Sequence, residues 1–343
     1  MLKRISLLFP GQGSQFVGMA KDLFAEFAEV QLLLNNADKI LKIPLSNIMF
    51  NGPMEQLKQT ENTQPAVFLH SLAIVKILQN ETTLFKDNRV DHMLGHSLGE
   101  YSALATAGSI DIESTLPLIR QRGMLMKQAR HGTMAALLSK KDFLVADSNS
   151  SNGGSAFKRL EEYARELERI DPTNDLVNIS NVNSPNQIVI SGTESAIDKM
   201  ISFAKQNKLV NKTVKLEVSA AFHSQLMKDS SDQYNNDYLN HIDFKQPSNQ
   251  VISNVTGKPY TNSNNIKEYL SQQMVSKVDW VSSIRYCIDD WKQKEQQGYF
   301  IEIGPQKVLT QLLKQIDPTA EYINLSTIDE VKDFINKYKE NKL

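Results

Sequence analysis

The chain has 343 residues, with 38 basic and 39 acidic side chains and a formal net charge of −1. This near balance excludes the broad basic face of a general nucleic-acid binder, and a single cysteine, Cys287, excludes an internal disulfide. The length suits one large α/β domain with a substantial insertion, or two domains of ordinary size.

The opening residues Met1 to Arg4 run directly into the apolar Ile5–Phe9, a start read as leaving no room for a secretory or organellar presequence. Ile5–Phe9 is expected to be a strand that stops at the turn-rich Pro10 to Gly13, and Val17–Asn35 has the spacing of a helix. A second helix is expected from Gln64 to about Gln79, with Pro65 in its first turn. The longest apolar stretch, Ala66–Leu78, is interrupted by His70, Ser71 and Lys76 and is too short to span a bilayer, so no membrane insertion is expected.

Val90, Met93 and Leu94 form a short strand-like lead into Gly95, His96, Ser97, Leu98 and Gly99. A serine between two glycines, with an apolar run before it and helix-forming residues after it, has the form of a nucleophile elbow. The glycines tolerate close packing because neither carries a Cβ. Glu100–Ala107 is good helix material, with Gly108 as its C-cap. This order of strand, helix and strand predicts a mainly parallel sheet.

A further helix is expected over Ile112–Ala129, then a strand from Gly132. Residues 147–155 are low in complexity and expected to form an exposed loop. Phe157–Ile170 is charged and periodic, an amphipathic surface helix. A strand at Gln187–Ser191, a helix at Glu194–Gln206 and a strand at Lys212–Val218 complete a β-α-β-α-β series, enough for an inserted subdomain. The chain returns through Phe222, His223 and Ser224 to a helix ending near Tyr238, a strand at Val251–Asn254 and a last helix after Pro305.

A serine hydroxyl needs a positioned base, most often histidine. Of the six histidines, His96 adjoins Ser97 but points away at such a turn, His70 lies in an apolar helix, and His92, His131 and His241 sit in turns or polar loops. His223 follows a strand in a loop that can reach the carboxyl end of the sheet; spacing alone leaves the choice open. An oxyanion needs convergent N–H donors, which Leu98 and the Gly11–Gly13 loop, through Gln12, are placed to supply, although that loop also reads as an ordinary turn. Arg122 is either a solvated helix residue or a clamp for a carboxylate. No metal-ligand spacing is present, and Cys287 between Tyr286 and Ile288 reads as a buried small hydrophobe.

Taken together, Phe9–Gln15, Gly95–Glu100, Gln121–Met126, Val177–Pro185, Ala221–Ser224, Val251–Val255 and Glu302–Leu309 resemble the malonyl-CoA:acyl carrier protein transacylases and the related acyltransferase domains of polyketide synthases. The resemblance implies an α/β-hydrolase-like large subdomain over 1–131 and 208–343. A ferredoxin-like small subdomain would occupy 132–207, with a flexible insertion near 139–174. It implies ping-pong transfer of malonyl from malonyl-CoA to the phosphopantetheine thiol of acyl carrier protein, with Ser97 as nucleophile and His223 as base. By the same resemblance Gln273 orients His223 through its backbone carbonyl, Gln12 and Leu98 form the oxyanion hole, and Arg122 pairs with the malonyl carboxylate. Phe222 would crowd an α-methyl branch, favouring malonyl over methylmalonyl. No metal or redox cofactor is implied, because both half-reactions exchange thioester and ester.

The family's usual second glycine near Gly132 is absent, and two further departures stand out: Lys277 replaces a common proline before Trp280, which could shift Gln273, and the 139–174 stretch is long and polar. The latter points to a mitochondrial matrix location, with the cytoplasm as the alternative; a monomer is expected. The competing functions are a trans-acting acyltransferase of a polyketide synthase, a serine thioesterase or hydrolase, and a carrier-binding module without activity.

Overall fold

A computed structural model describes residues 3–146, 154–218 and 220–342. In chain order the strands are β1 (Arg4–Phe9), β2 (Val90–Gly95), β3 (Thr133–Leu138), β4 (Val177–Ser184), β5 (Gln187–Gly192), β6 (Lys212–Lys215), β7 (Gln250–Ile252), β8 (Val278–Asp279), β9 (Gly298–Ile303) and β10 (Tyr322–Leu325). They divide between two sheets.

The first sheet has the order β10-β9-β1-β2-β7, and every neighbouring pair is parallel. Ile5, Leu7, Leu8 and Phe9 of β1 are all fully buried, as expected of a central strand covered on both faces. The Thr60–Glu81 helix, buried on nearly every side over its first nineteen positions, runs through the main core and packs on the Ile112–Gln128 helix.

The second sheet has the order β6-β3-β5-β4-β8. From β3 to β6 the chain runs strand, helix (Ala156–Ile170), strand, strand, helix (Glu194–Gln206), strand, the split β-α-β arrangement. Its own core joins Leu160, Leu167, Ile197 and Met200 of the helices to Leu137, Ile188 and Ile190 of the strands. The two-residue β8, late in the chain, pairs parallel with β4 and ties this sheet to the larger unit.

Several expectations are corrected here. Val17–Asn35 is two helices, Lys21–Glu26 and Ala28–Leu41, because the extended backbone of Phe27 breaks the run. Pro65 lies inside its helix, which starts at Thr60, so it is not a first-turn residue. The small unit does not end at 207: β6, at Lys212–Lys215, pairs antiparallel with β3. Nor is 139–174 a loop-like insertion throughout, since Ala156–Ile170 is a helix whose Leu160, Ala164 and Leu167 are buried. Most of the expected 147–155 loop lies outside the described residues. The β-α-β-α-β series lacked β4, and the chain continues past the expected last helix into β10 and the Ile328–Lys339 helix.

Candidate active site

The chain leaves β2 at Gly95, turns at Ser97 and enters the Gly99–Thr106 helix. Ser97 sits in the left-handed region at φ 52°, a conformation that L-residues hold only where the surroundings impose it. Those surroundings are glycine-tight. A Cβ on Gly95 would lie 1.9 Å from the carbonyl carbon of Gly99, and one on Gly99 would lie 2.0 Å from the carbonyl oxygen of Phe9. Asn254, just after β7, wedges the turn: its Oδ1 accepts from Ser97 N–H at 2.7 Å and its Nδ2 donates to Gly95 O at 2.6 Å.

His223 Nε2 is 2.7 Å from Ser97 Oγ, and His223 Nδ1 is 2.8 Å from the main-chain oxygen of Gln273. A carbonyl can only accept, so Nδ1 carries the proton and Nε2 is the acceptor for the serine hydroxyl. His223 is itself left-handed, at φ 57°, and Asn178 of β4 holds its main-chain oxygen at 2.9 Å, so the second sheet helps to aim the ring. Burial first, then the nearby Arg122 cation, lower its pKa to about 3. The imidazole is therefore neutral and available as a base at neutral pH.

Arg122, on the Ile112–Gln128 helix, is only 1% exposed. It donates to the amide oxygens of Gln64 and Gln273, each at 2.8 Å, and to Ser97 Oγ at 3.3 Å. Its Nε has no partner, and among the described residues no carboxylate comes within ion-pair distance of it. A buried cation whose direct hydrogen-bond partners are all neutral, beside a serine hydroxyl, is suited to receive an anion. The sequence alone could not separate this from a solvated helix residue.

Gln273 serves the site twice. Besides the carbonyl that holds His223, its side-chain Nε2 donates to Ser97 O at 3.1 Å and to Glu100 Oε2 at 2.5 Å. Lys277, the feared departure, does not displace it: the lysine lies over the Phe157 ring, 5.1 Å from its centroid, and the His223–Gln273 contact is formed. Glu100 is buried, and burial raises its pKa to about 7 against the opposing hydrogen bonds of Tyr260 and Gln273.

A cavity of about 230 Å³ opens over Ser97, with Gln12, Leu98, Arg122, Asn181, Asn183 and Phe222 in its lining. Among the described residues no acceptor takes the backbone N–H of Gln12 or Leu98, so both N–H groups are free beside the nucleophile. A larger groove of about 490 Å³, lined by Leu32, Lys76 and Asp111 among others, contains none of these groups.

The remaining candidates resolve as structural. His96 turns from Ser97 to Asn183 Oδ1 at 2.9 Å, His70 faces Ser326 O at 2.9 Å, and Cys287 is buried with its thiol pKa pushed up by that burial. Sequence reasoning did not single out Asn254, Gln64 or Glu100. Glu100 and Asn254 lie inside or beside the blocks that carry the resemblance, and that adjacency was the available signal.

Residues 7–329 match the model of a family described as acyl transferase domain. The chain is 35% identical over 344 residues, covering 99% of it and 98% of the relative, to the malonyl CoA-acyl carrier protein transacylase of Bacillus subtilis. It is 33% identical over 334 residues (96% and 98%) to the enzyme of that name from Staphylococcus aureus. Among solved structures, an acyl-carrier-protein-S-malonyltransferase from Bartonella henselae superposes with a TM-score of 0.83 at 31% identity, covering 98% of this chain and 99% of that one. A malonyl-transacylase in complex with a type II PKS acyl-carrier protein gives 0.83 at 29% identity, covering 98% and 99%.

Proposed function

Because the chain belongs to the acyl transferase domain family, we propose that it moves malonyl groups from malonyl-CoA to the phosphopantetheine thiol of an acyl carrier protein, through a malonyl ester on Ser97. The observation that carries this reading is Arg122: a buried cation with no carboxylate within ion-pair distance among the described residues, 3.3 Å from Ser97 Oγ. A donor whose acyl group ends in a carboxylate supplies that charge and is positioned by it.

In this reading Ser97 Oγ gives its proton to His223 Nε2 and attacks the thioester carbonyl carbon. The oxyanion is held by the N–H groups of Gln12 and Leu98, and the Gln273 carbonyl stabilises the imidazolium that forms. Collapse breaks the carbon–sulfur bond, and the CoA thiolate leaves with the proton from His223. The carrier thiol then reverses the sequence: His223 takes its proton, its sulfur attacks the ester, and Ser97 recovers the proton as leaving group. No resident cofactor enters either half. A malonyl carboxylate on Arg122 also offsets the cation that depresses His223, so the base strengthens when the right acyl group is bound.

Phe222 in the cavity wall disfavours an α-methyl branch, by about 1–3 kcal/mol. Whether the carrier serves fatty-acid or polyketide assembly is an open branch of the proposal, since the relatives include a transacylase bound to a type II PKS carrier. The bacterial relatives give the mitochondrial expectation no support. Among the described residues no helix is long and apolar enough to cross a membrane. The monomer stays part of the proposal, to be tested by sedimentation velocity.

Intact-protein mass spectrometry after mixing with malonyl-CoA tests the reading. A malonyl adduct on the wild type, absent from Ser97→Ala and discharged by holo carrier protein, is expected. An adduct discharged by water faster than by the carrier thiol would make the protein a hydrolase.

A further inference from the structure

The mechanism uses Ser97, His223, Arg122 and the main chain of Gln273, and leaves unassigned a buried carboxyl that is hydrogen-bonded to the Gln273 side chain, Glu100. Glu100 is 1% exposed. Its carboxylate takes three donors: Asn254 N–H at 3.2 Å and Tyr260 O–H at 2.5 Å on Oε1, and the Gln273 amide at 2.5 Å on Oε2. Nothing in that arrangement touches the cavity.

The polarity of this chain of contacts is forced. Arg122 has only N–H groups to offer, so the end of the Gln273 amide that faces it must be the oxygen. The other end is then the NH2, which needs acceptors, and it meets Ser97 O and Glu100 Oε2. The Gln273 side chain thus links the Glu100 carboxylate to the Arg122 guanidinium as a single oriented relay. We propose that Glu100 is a positioning residue for acyl-group selectivity: through the Gln273 amide it fixes the pose in which Arg122 meets the substrate carboxylate. The proposal rests on the reading of Arg122 as the carboxylate clamp.

Glu100→Gln keeps the shape and reverses the polarity at one atom. An amide whose oxygen stays with Asn254 and Tyr260 puts its own NH2 against the NH2 of Gln273. Gln273 then turns, and Arg122 loses an acceptor. The alternative rotamer instead leaves the buried Asn254 N–H without its acceptor and forces the Tyr260 hydroxyl to accept rather than donate.

The experiment measures kcat/KM for acylation of Ser97 by malonyl-CoA and by acetyl-CoA at pH 8, where the Glu100 carboxylate predominates. Wild type, Glu100→Gln, Gln273→Leu and the double variant are compared; Gln273→Leu retains the main-chain oxygen that holds His223. The malonyl-to-acetyl ratio should fall about tenfold in each single variant, the scale of one lost hydrogen bond to a charged group, and no further in the double variant. An unchanged ratio in Glu100→Gln, equal losses for both donors, or additive losses in the double variant would overturn the proposal. If Glu100→Gln does not fold, the ratio in Gln273→Leu decides. A wild type without preference for malonyl would instead sink the reading of Arg122 itself.

Discussion

Among the described residues two serine–histidine pairs share the same hydrogen-bond logic. Ser97 meets His223 at 2.7 Å, and the far nitrogen of His223 is held by the Gln273 carbonyl at 2.8 Å. Ser6 of β1 meets His92 of β2 at 2.9 Å, and the far nitrogen of His92 is held by Asp290 at 3.0 Å. By inventory the second pair is the better one, since it has the carboxylate of a serine-hydrolase triad. It nevertheless lacks what reactivity needs. Ser6 is mid-strand, fully buried and paired across the sheet, whereas Ser97 stands on a left-handed turn over a cavity with two free N–H groups and a cation at hand. Catalysis here is a property of the backbone turn and the access it creates more than of the side chains named.

The sharpest way to break this comparison is to remove each serine in turn. Ser97→Ala should lower malonyl transfer by at least ~10³-fold. Ser6→Ala should leave transfer within about twofold and reduce stability by about 1 kcal/mol, read from urea midpoints. Transfer lost in Ser6→Ala with the fold intact would make the inner pair part of the chemistry.

A second contrast lies in pH. A histidine with the ordinary pKa of 6.5 is about thirtyfold less available as a base at pH 5 than at pH 8. The folded pKa of His223 is depressed to about 3, so its neutral form persists; in Glu100→Gln, which lacks the carboxyl that titrates near 7, the rate of CoA release in the first turnover should stay flat over that range. A fall centred near pH 6.5, by rapid quench, would mean that burial and Arg122 do not control the ring.

The smallest effect on the reaction itself is expected at Asp290. Asp290→Ala leaves the N–H of His92 without its acceptor and should cost roughly 1–3 kcal/mol of stability with KM for malonyl-CoA unchanged. A change in KM would connect the two pairs across the sheet.

Local constraints were legible in the sequence and distant ones were not. The elbow could be read because Gly95, Ser97 and Gly99 act on one another within five residues. The strand Val177–Ser184 was missed because asparagine and serine fill it, and they do so because Asn181 and Asn183 face the cavity, where polar groups are required. The Ser263–Gln273 helix buries only Ile266, Leu270 and Gln273, so a site residue occupies a core-facing position and dilutes the apolar stripe. His223 could be favoured among the six histidines for its loop after a strand but not fixed without the resemblance, since its partner is a main-chain oxygen that no residue type announces. Phe27 breaks a helix through its extended backbone, which its side chain does not foretell.

Ser97 and His223 stand 126 positions apart in the chain, and the carbonyl that orients the histidine is another 50 along. On a ribosome adding 5–20 residues each second, Ser97 emerges roughly ten to thirty seconds before Gln273. Throughout that interval it is an ordinary alcohol, bathed in activated thioesters and unable to react with them. Closing so long a loop adds little entropic penalty over a shorter one, yet it makes reactivity wait on contacts between distant parts of the chain. Folding therefore works as a safety catch: the serine is armed only when the helix ending at Gln273 docks.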